Sequence, residues 1–293
     1  MNPYLITSDP GIDDLVALVL MKKLTVGQNH CLIASFGNAP VERTGVNAQE
    51  FISFAAPTWS YREGAALPLN GTLEHAWPDY FHGPDGVWGV HPKTDRRQVA
   101  LVRDYPKYQH VLSLCPLTEA QKIMRRGPLE EVTIMGGAFH VAGNETEYAE
   151  TNIAFDADAA VHVFCSCSQT QVKVVPLDVT RKVFWSLEKV KSIPEHSPQS
   201  VWIKTLLLAW FDRYNHAREK DFHVHDPLAV YLTFHPEKAT WVTSGVAVVD
   251  TGKRRGQTIL DARLPPCRIA LDVPEASSVA EEIFTILFSR DSQ

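Results

Sequence analysis

The sequence predicts an α/β protein, a single domain over residues 1–293 with a mostly parallel open sheet flanked by helices. Three observations predict it. Short apolar runs alternate with helix-compatible segments, the pattern of strands joined by crossover helices. A chain of 293 residues, 45% of them hydrophobic, can fill a large core. No linker, low-complexity tract or internal repeat divides it.

Tyr4 to Ser8 is β-compatible and stops at the turn Asp9-Pro10-Gly11. Asp13-Asp14 then opens an apolar helix through Met21, because carboxylates are favoured at a helix N-terminus. Cys31 to Phe36 is a second strand run, ended by Gly37-Asn38, and Glu42 to Ala55 is helix-compatible. Leu67 to Asp95 is rich in Gly and Pro, the composition of an exposed connector, but Trp77, Tyr80, Phe81 and Trp88 argue that it packs. Val111 to Leu114 precedes Pro116 and a helix over Thr118 to Arg126. Val132 to Met135 is stopped by Gly136-Gly137, Asp156 to Cys165 is helical, and Val172 to Leu177 is a further strand. Leu187 to Asp226 reads as helical with a polar, mobile tail from Asn215 to His223.

Composition excludes several classes of partner. With 34 acidic and 28 basic residues the net charge is −6. Such a chain gains little from neutralising phosphates, so nucleic acid and anionic membrane surfaces are poor partners. The longest apolar run, Leu15 to Met21, is far short of the roughly 20 residues that span a bilayer. The five cysteines show neither C-x-x-C nor zinc spacing, and the N-terminus shows no basic and apolar leader. Reduced thiols in a cytoplasmic protein are the expectation.

Three groups of polar residues stand where apolar runs stop, the place where ligands bind in open α/β sheets. Asp9, Asp13 and Asp14 lie at a strand end and a first helical turn. Asp13 and Asp14 are accounted for as helix-capping acids. Three converging carboxylates also suit a hard cation, Ca²⁺ or Mg²⁺. His225-Asp226-Pro227 reads as a helix start, and equally offers a fourth carboxylate and a proton donor. The polar stretch Met135 to Asn152 is either a surface loop or a site for a hydroxyl-rich ligand. Gly136-Gly137 lacks the context of a dinucleotide-binding loop.

The segment Thr7-Ser8-Asp9-Pro10-Gly11-Ile12-Asp13-Asp14 resembles the Asp-x-Asp-Pro-Gly-x-Asp-Asp signature of the inosine-uridine-preferring nucleoside hydrolases. The likeness continues in family order through Gly37-Asn38, Asn47, Gly64 to Leu69 and His82-Gly-Pro-Asp85-Gly. It then takes in Cys115-Pro-Leu-Thr118, Met135-Gly-Gly, Gly143-Asn144, Ala149-Glu150-Thr-Asn152, Leu177-Asp178-Val-Thr180 and His225-Asp226-Pro227.

The resemblance implies a Rossmann-like fold and a calcium-dependent enzyme that splits ribonucleosides into ribose and free base through a metal-activated water. By position, Asp9, Asp14, Asp226 and the backbone carbonyl of Leu114 would bind Ca²⁺, and Asp9 would also be the general base. Asp13, Asn38 and Asn152 would hold the ribose 2′ and 3′ hydroxyls. Asn144 and Glu150 would hold the 5′ hydroxyl, with Met135 also at the substrate. His225 would be the general acid, while His82, Trp210 and Tyr214 would lie near the base. The implied partners are a small nucleoside and further copies of the chain, as a dimer or tetramer.

The chain departs from the family pattern at Thr7, which replaces an Asp, and at Cys115, Glu119, Thr151 and Arg181. These departures motivate an alternative: a catalytically impaired homologue that binds nucleosides or another riboside without efficient hydrolysis. A phosphotransferase using an aspartyl-phosphate would need an Asp where Thr7 stands.

Overall fold

The computed structural model describes residues 2–94, 99–214 and 220–290, so residues 215–219 of the expected polar tail, and Asp95, lie outside the described residues. Thirteen strands are formed among them: β1 (Tyr4–Ser8), β2 (Cys31–Ala34), β3 (Ser60–Glu63), β4 (Ala100–Leu101), β5 (His110–Ser113), β6 (Glu131–Met135), β7 (Gln171–Val175), β8 (Phe184–Trp185), β9 (Phe222–His223), β10 (Thr240–Ser244), β11 (Val246–Val248), β12 (Thr258–Leu260) and β13 (Cys267–Asp272). Nine of them make one sheet in the order β10-β13-β7-β6-β5-β1-β2-β3-β4. Every pairing in it is parallel except that of the edge strand β10 with β13. The other four form two antiparallel ribbons, β8 with β9 and β11 with β12.

Eleven helices accompany them: α1 (Ile12–Leu24), α2 (Val41–Ala55), α3 (Asp79–His82), α4 (Thr118–Met124), α5 (Thr151–Phe155), α6 (Ala157–Cys165), α7 (Leu177–Thr180), α8 (Leu187–Lys191), α9 (Pro198–Arg213), α10 (His225–Phe234) and α11 (Ala276–Phe288). Side chains alternate across β1, so Ile6 joins an apolar cluster with α1, α10 and α11 on one face, and Leu5 joins another with α4 and α6. In α1 every residue from Ile12 to Met21 is buried, because the helix is enclosed by α9, α10 and α11 as well as the sheet. This explains an apolar run that is too short for a membrane. No helix among the described residues is long and apolar enough to cross one.

The strand order reverses at β1. From there β2, β3 and β4 extend to one side, and the chain then returns to place β5 against the other edge of β1. Loops leaving the carboxyl ends of two such strands diverge and open a crevice between them. Asp9 follows β1 directly, and Leu114 follows β5.

Candidate active site

A cleft opens at that crevice, and of the residues expected to bind metal or substrate or to act in catalysis all but Asp14 and Trp210 line it. Asp9 leaves the sheet at the end of β1, and the Pro10-Gly11 turn starts α1 so that Asp13 and Asp14 occupy its first turn. The N-terminus of α10 packs against α1 and brings in Asp226. Carboxylate oxygens of Asp13, Asp14 and Asp226 lie within 4.8 Å of one another.

The acids are held differently. Asp14 Oδ1 accepts hydrogen bonds from Ser8 Oγ (2.6 Å) and the Asp9 amide (3.3 Å), and Oδ2 from the Gly11 amide (3.1 Å) and Asn38 Nδ2 (2.8 Å). The helix-capping reading is therefore realised at Asp14. Asp9 Oδ2 accepts from the Asn38 amide at 2.7 Å, while its buried Oδ1 has no partner. Gly37, at φ +154°, makes room for this, since a Cβ there would sit 1.9 Å from Asp9 Oδ2.

Burial, and then the charge of Asp14, push Asp9 well above the usual carboxylate range. The same two causes push Asp13 up to about 8. Asp226 is also raised far, by burial and then by Asp13, Asp14 and Asp9. No Lys or Arg is among the main influences on these acids. Their charge is balanced by amide donors and two helix N-termini, which is weak compensation for so many buried acids.

Amide side chains tie the strand ends together. Asn152 Nδ2 donates to the carbonyls of Leu114 (3.2 Å) and Met135 (3.1 Å), bridging the ends of β5 and β6. Asn38 Nδ2 also donates to the Asp9 carbonyl at 3.2 Å. In both residues the amide nitrogen is turned to the protein, leaving Oδ1 as the acceptor for a ligand. Glu150 caps α5, accepting from the amides of Asn152 (2.9 Å), Ile153 (3.1 Å) and Gly137 (3.0 Å), and burial pushes it up to about 7. Asn144 Oδ1 accepts from the Thr151 amide at 3.0 Å.

A model of the family described as inosine-uridine preferring nucleoside hydrolase matches residues 4–282. The chain belongs to that family. It is thus a nucleoside N-glycosyl hydrolase. It is 29% identical to the probable uridine nucleosidase 1 of Oryza sativa subsp. japonica, over 90% of this chain and 86% of the rice protein. It is 28% identical to the non-specific ribonucleoside hydrolase RihC of Salmonella paratyphi A, over 96% of each chain. Among solved structures, a plant nucleoside hydrolase, PpNRh1, superposes with a TM-score of 0.88 at 24% identity over 99% of both chains. The purine-preferring ribonucleoside hydrolase from Gardnerella vaginalis gives 0.86 at 21%, over 97% of this chain and 98% of its own.

In this hydrolase the open side of the cleft is aromatic. The segment from residue 67 packs, as its aromatic residues imply: Pro78, Tyr80, Phe81 and His82 of the α3 turn line the cleft beside Tyr214. Trp210 does not reach it. The indole is buried behind, stacked on Tyr214 at 4.8 Å and edge-on to Phe81 at 5.4 Å. His82 Nδ1 accepts from the Ile12 amide at 3.2 Å, which places its ring proton on Nε2. His225 Nδ1 lies 2.7 Å from Thr180 Oγ1. Burial holds both imidazoles neutral, lowering each to about 3, with His223 adding to the effect at His225.

The departures from the family pattern are accommodated. Thr7 Oγ1 donates to Ser113 Oγ at 3.0 Å across the β1–β5 pairing. Cys115 is buried with its thiol 3.6 Å from the Pro116 carbonyl. Glu119 faces Arg62, Tyr105 and Lys122 and leaves the Leu114 carbonyl untouched. Sequence reasoning missed Pro78, Tyr80, Phe81 and Thr180 as site residues. The aromatic residues within a Gly- and Pro-rich stretch were the available signal; Thr180 gave none beyond its place in a family motif.

Proposed function

We propose that this enzyme hydrolyses the N-glycosidic bond of ribonucleosides with Ca²⁺ held on the cleft floor. The observation that carries the reading is the buried cluster of Asp13, Asp14 and Asp226, with buried Asp9 close enough to raise Asp226 further and no Lys or Arg among the main influences on these acids. An unpartnered buried Asp9 Oδ1 and an all-oxygen donor set fit a hard cation. Asp9, Asp14, Asp226 and the Leu114 carbonyl would hold it. When bound, such an ion lowers the pKa of water and anchors the sugar hydroxyls.

The chain's own groups then divide the work. The Asp9 carboxylate accepts the proton of the attacking water. Asp13 and the Oδ1 atoms of Asn38 and Asn152 accept from the 2′ and 3′ hydroxyls, and Asn144 and Glu150 meet the 5′ hydroxyl beside Met135. Glycosidic cleavage passes through an oxocarbenium-like state, and fixed carboxylates stabilise its positive charge strongly where water is excluded. His82 and Tyr214 border the leaving base, with Trp210 backing Tyr214. His225, neutral in the free enzyme, gains donor character as negative charge builds on the departing base, because that charge favours imidazolium.

The test is ribose release from inosine, uridine, cytidine and adenosine, with calcium and after chelation. Release that needs calcium is the expected result. Calorimetric binding of ribosides with no turnover across the panel would replace hydrolysis by simple binding.

A further inference from the structure

One turn of helix contacts protein groups assigned above to both ends of the substrate. Within and just after α7, Asp178 accepts from the amides of Phe139 (2.9 Å) and His140 (2.7 Å). Arg181 donates from one terminal nitrogen to the Ala142 carbonyl (2.7 Å) and from the other to the Gly143 carbonyl (3.1 Å). Thr180, between them, meets His225. Arg181 is the only Lys or Arg lining the cleft among the described residues, and no carboxylate lies in salt-bridge range of it there. Its bonds go to main chain, where a planar guanidinium fixes two successive carbonyls at once. The next residue is Asn144.

We propose that Arg181 is a positioning residue that sets recognition of the ribose 5′ end. By fixing the carbonyls of residues 142 and 143 it holds Asn144 where it meets both the Thr151 amide and the substrate's 5′ hydroxyl. Gly143 lets this segment lie against the next strand of chain, since a Cβ there would be 2.1 Å from the Ala149 carbonyl oxygen. The loop is therefore clamped on two sides, by Arg181 and by Ala149. The inference rests on the proposed assignment of Asn144 to the 5′ hydroxyl.

The experiment compares wild type, R181A, R181K, N144A and R181A/N144A on uridine and inosine and on their 5′-deoxy counterparts, alongside hydrogen exchange of residues 140–147. R181A should lower kcat/KM on the ribosides roughly tenfold, mostly through KM, the scale of one charge-assisted hydrogen bond. On the 5′-deoxy substrates the loss should stay within about twofold. The double variant should add nothing to N144A, R181K should fall between, and exchange should quicken in 140–147. Equal losses on both substrate sets, additive losses in the double variant, or unchanged exchange each overturn the proposal. If wild type cleaves no riboside, the hydrolase reading fails separately. Calorimetry of ribose against 5-deoxyribose on wild type and R181A then decides the inference, which requires that R181A weaken only ribose.

Discussion

Two groups of buried acid in this enzyme are treated in opposite ways. Behind the β5 turn, Glu119 is buried with Arg62 Nη1 at 3.3 Å, Lys122 Nζ at 2.9 Å and the Tyr105 hydroxyl at 2.6 Å, and Arg62 stacks over Tyr105. On the cleft floor, Asp9, Asp13, Asp14 and Asp226 are just as buried and have only neutral donors. At Glu119 the fold supplies a counter-charge. On the floor it withholds one, leaving negative potential for a cation or for the cationic sugar of the transition state.

The largest way to break the contrast is Asp9→Asn. It removes the free carboxylate oxygen and should lower kcat about 10³-fold, within the range for loss of a general base. Single-turnover rates near wild type would take that role from Asp9. His225→Ala should cost about 10²-fold on nucleosides but little on a ribosyl nitrophenolate, whose leaving group needs no proton. Equal losses would make His225 a positioning group.

Stability against pH sharpens the contrast without any turnover. An unfolded Asp is ionised above about pH 4, whereas folded Asp13 keeps a proton up to about 8. The folded state therefore binds more protons in this interval, and stability falls as pH rises through it. His82 and His225, held near 3, act in the opposite sense, but only below the unfolded histidine value of about 6.5. Between pH 6.5 and 8 the chelated protein should lose about 2 kcal/mol from Asp13 alone. Calcium should restore it, with a larger Tm gain at pH 8 than at pH 6.5. A Tm gain independent of pH would remove these acids from the cation site.

Glu119→Gln should do the reverse of Asp9→Asn. Its partners are partly exposed, so the loss of ion pairing is expected to cost about 1–2 kcal/mol of stability, measured by denaturant titration, with kcat within about twofold of wild type.

The parallel core was legible because strands buried on both faces read as apolar runs with sharp stops, as at Gly37-Asn38 and Gly136-Gly137. The edges were not. β3 has the sequence Ser-Tyr-Arg-Glu and β10 is largely half-exposed, so neither carries a strong apolar signal, and β13 and α11 follow a region with no recognised pattern. The cleft residues were found mostly through motif likeness, which gives positions without orientations. Only the structure distinguishes Asp14, with four hydrogen bonds, from Asp9, with a bare oxygen. It also shows that Tyr214 meets the cleft with Trp210 behind it; their i,i+4 spacing puts the two rings side by side but does not say which one faces a ligand.

The bridge made by Asn152 affects how variants of this enzyme are to be interpreted. One amide group joins the ends of β5 and β6 and turns its remaining oxygen to the cleft. Truncating it therefore frees two carbonyls as well as removing a hydroxyl acceptor. A kinetic defect in Asn152→Ala is a sum of scaffold and contact effects, and only a substrate lacking the matching hydroxyl separates them.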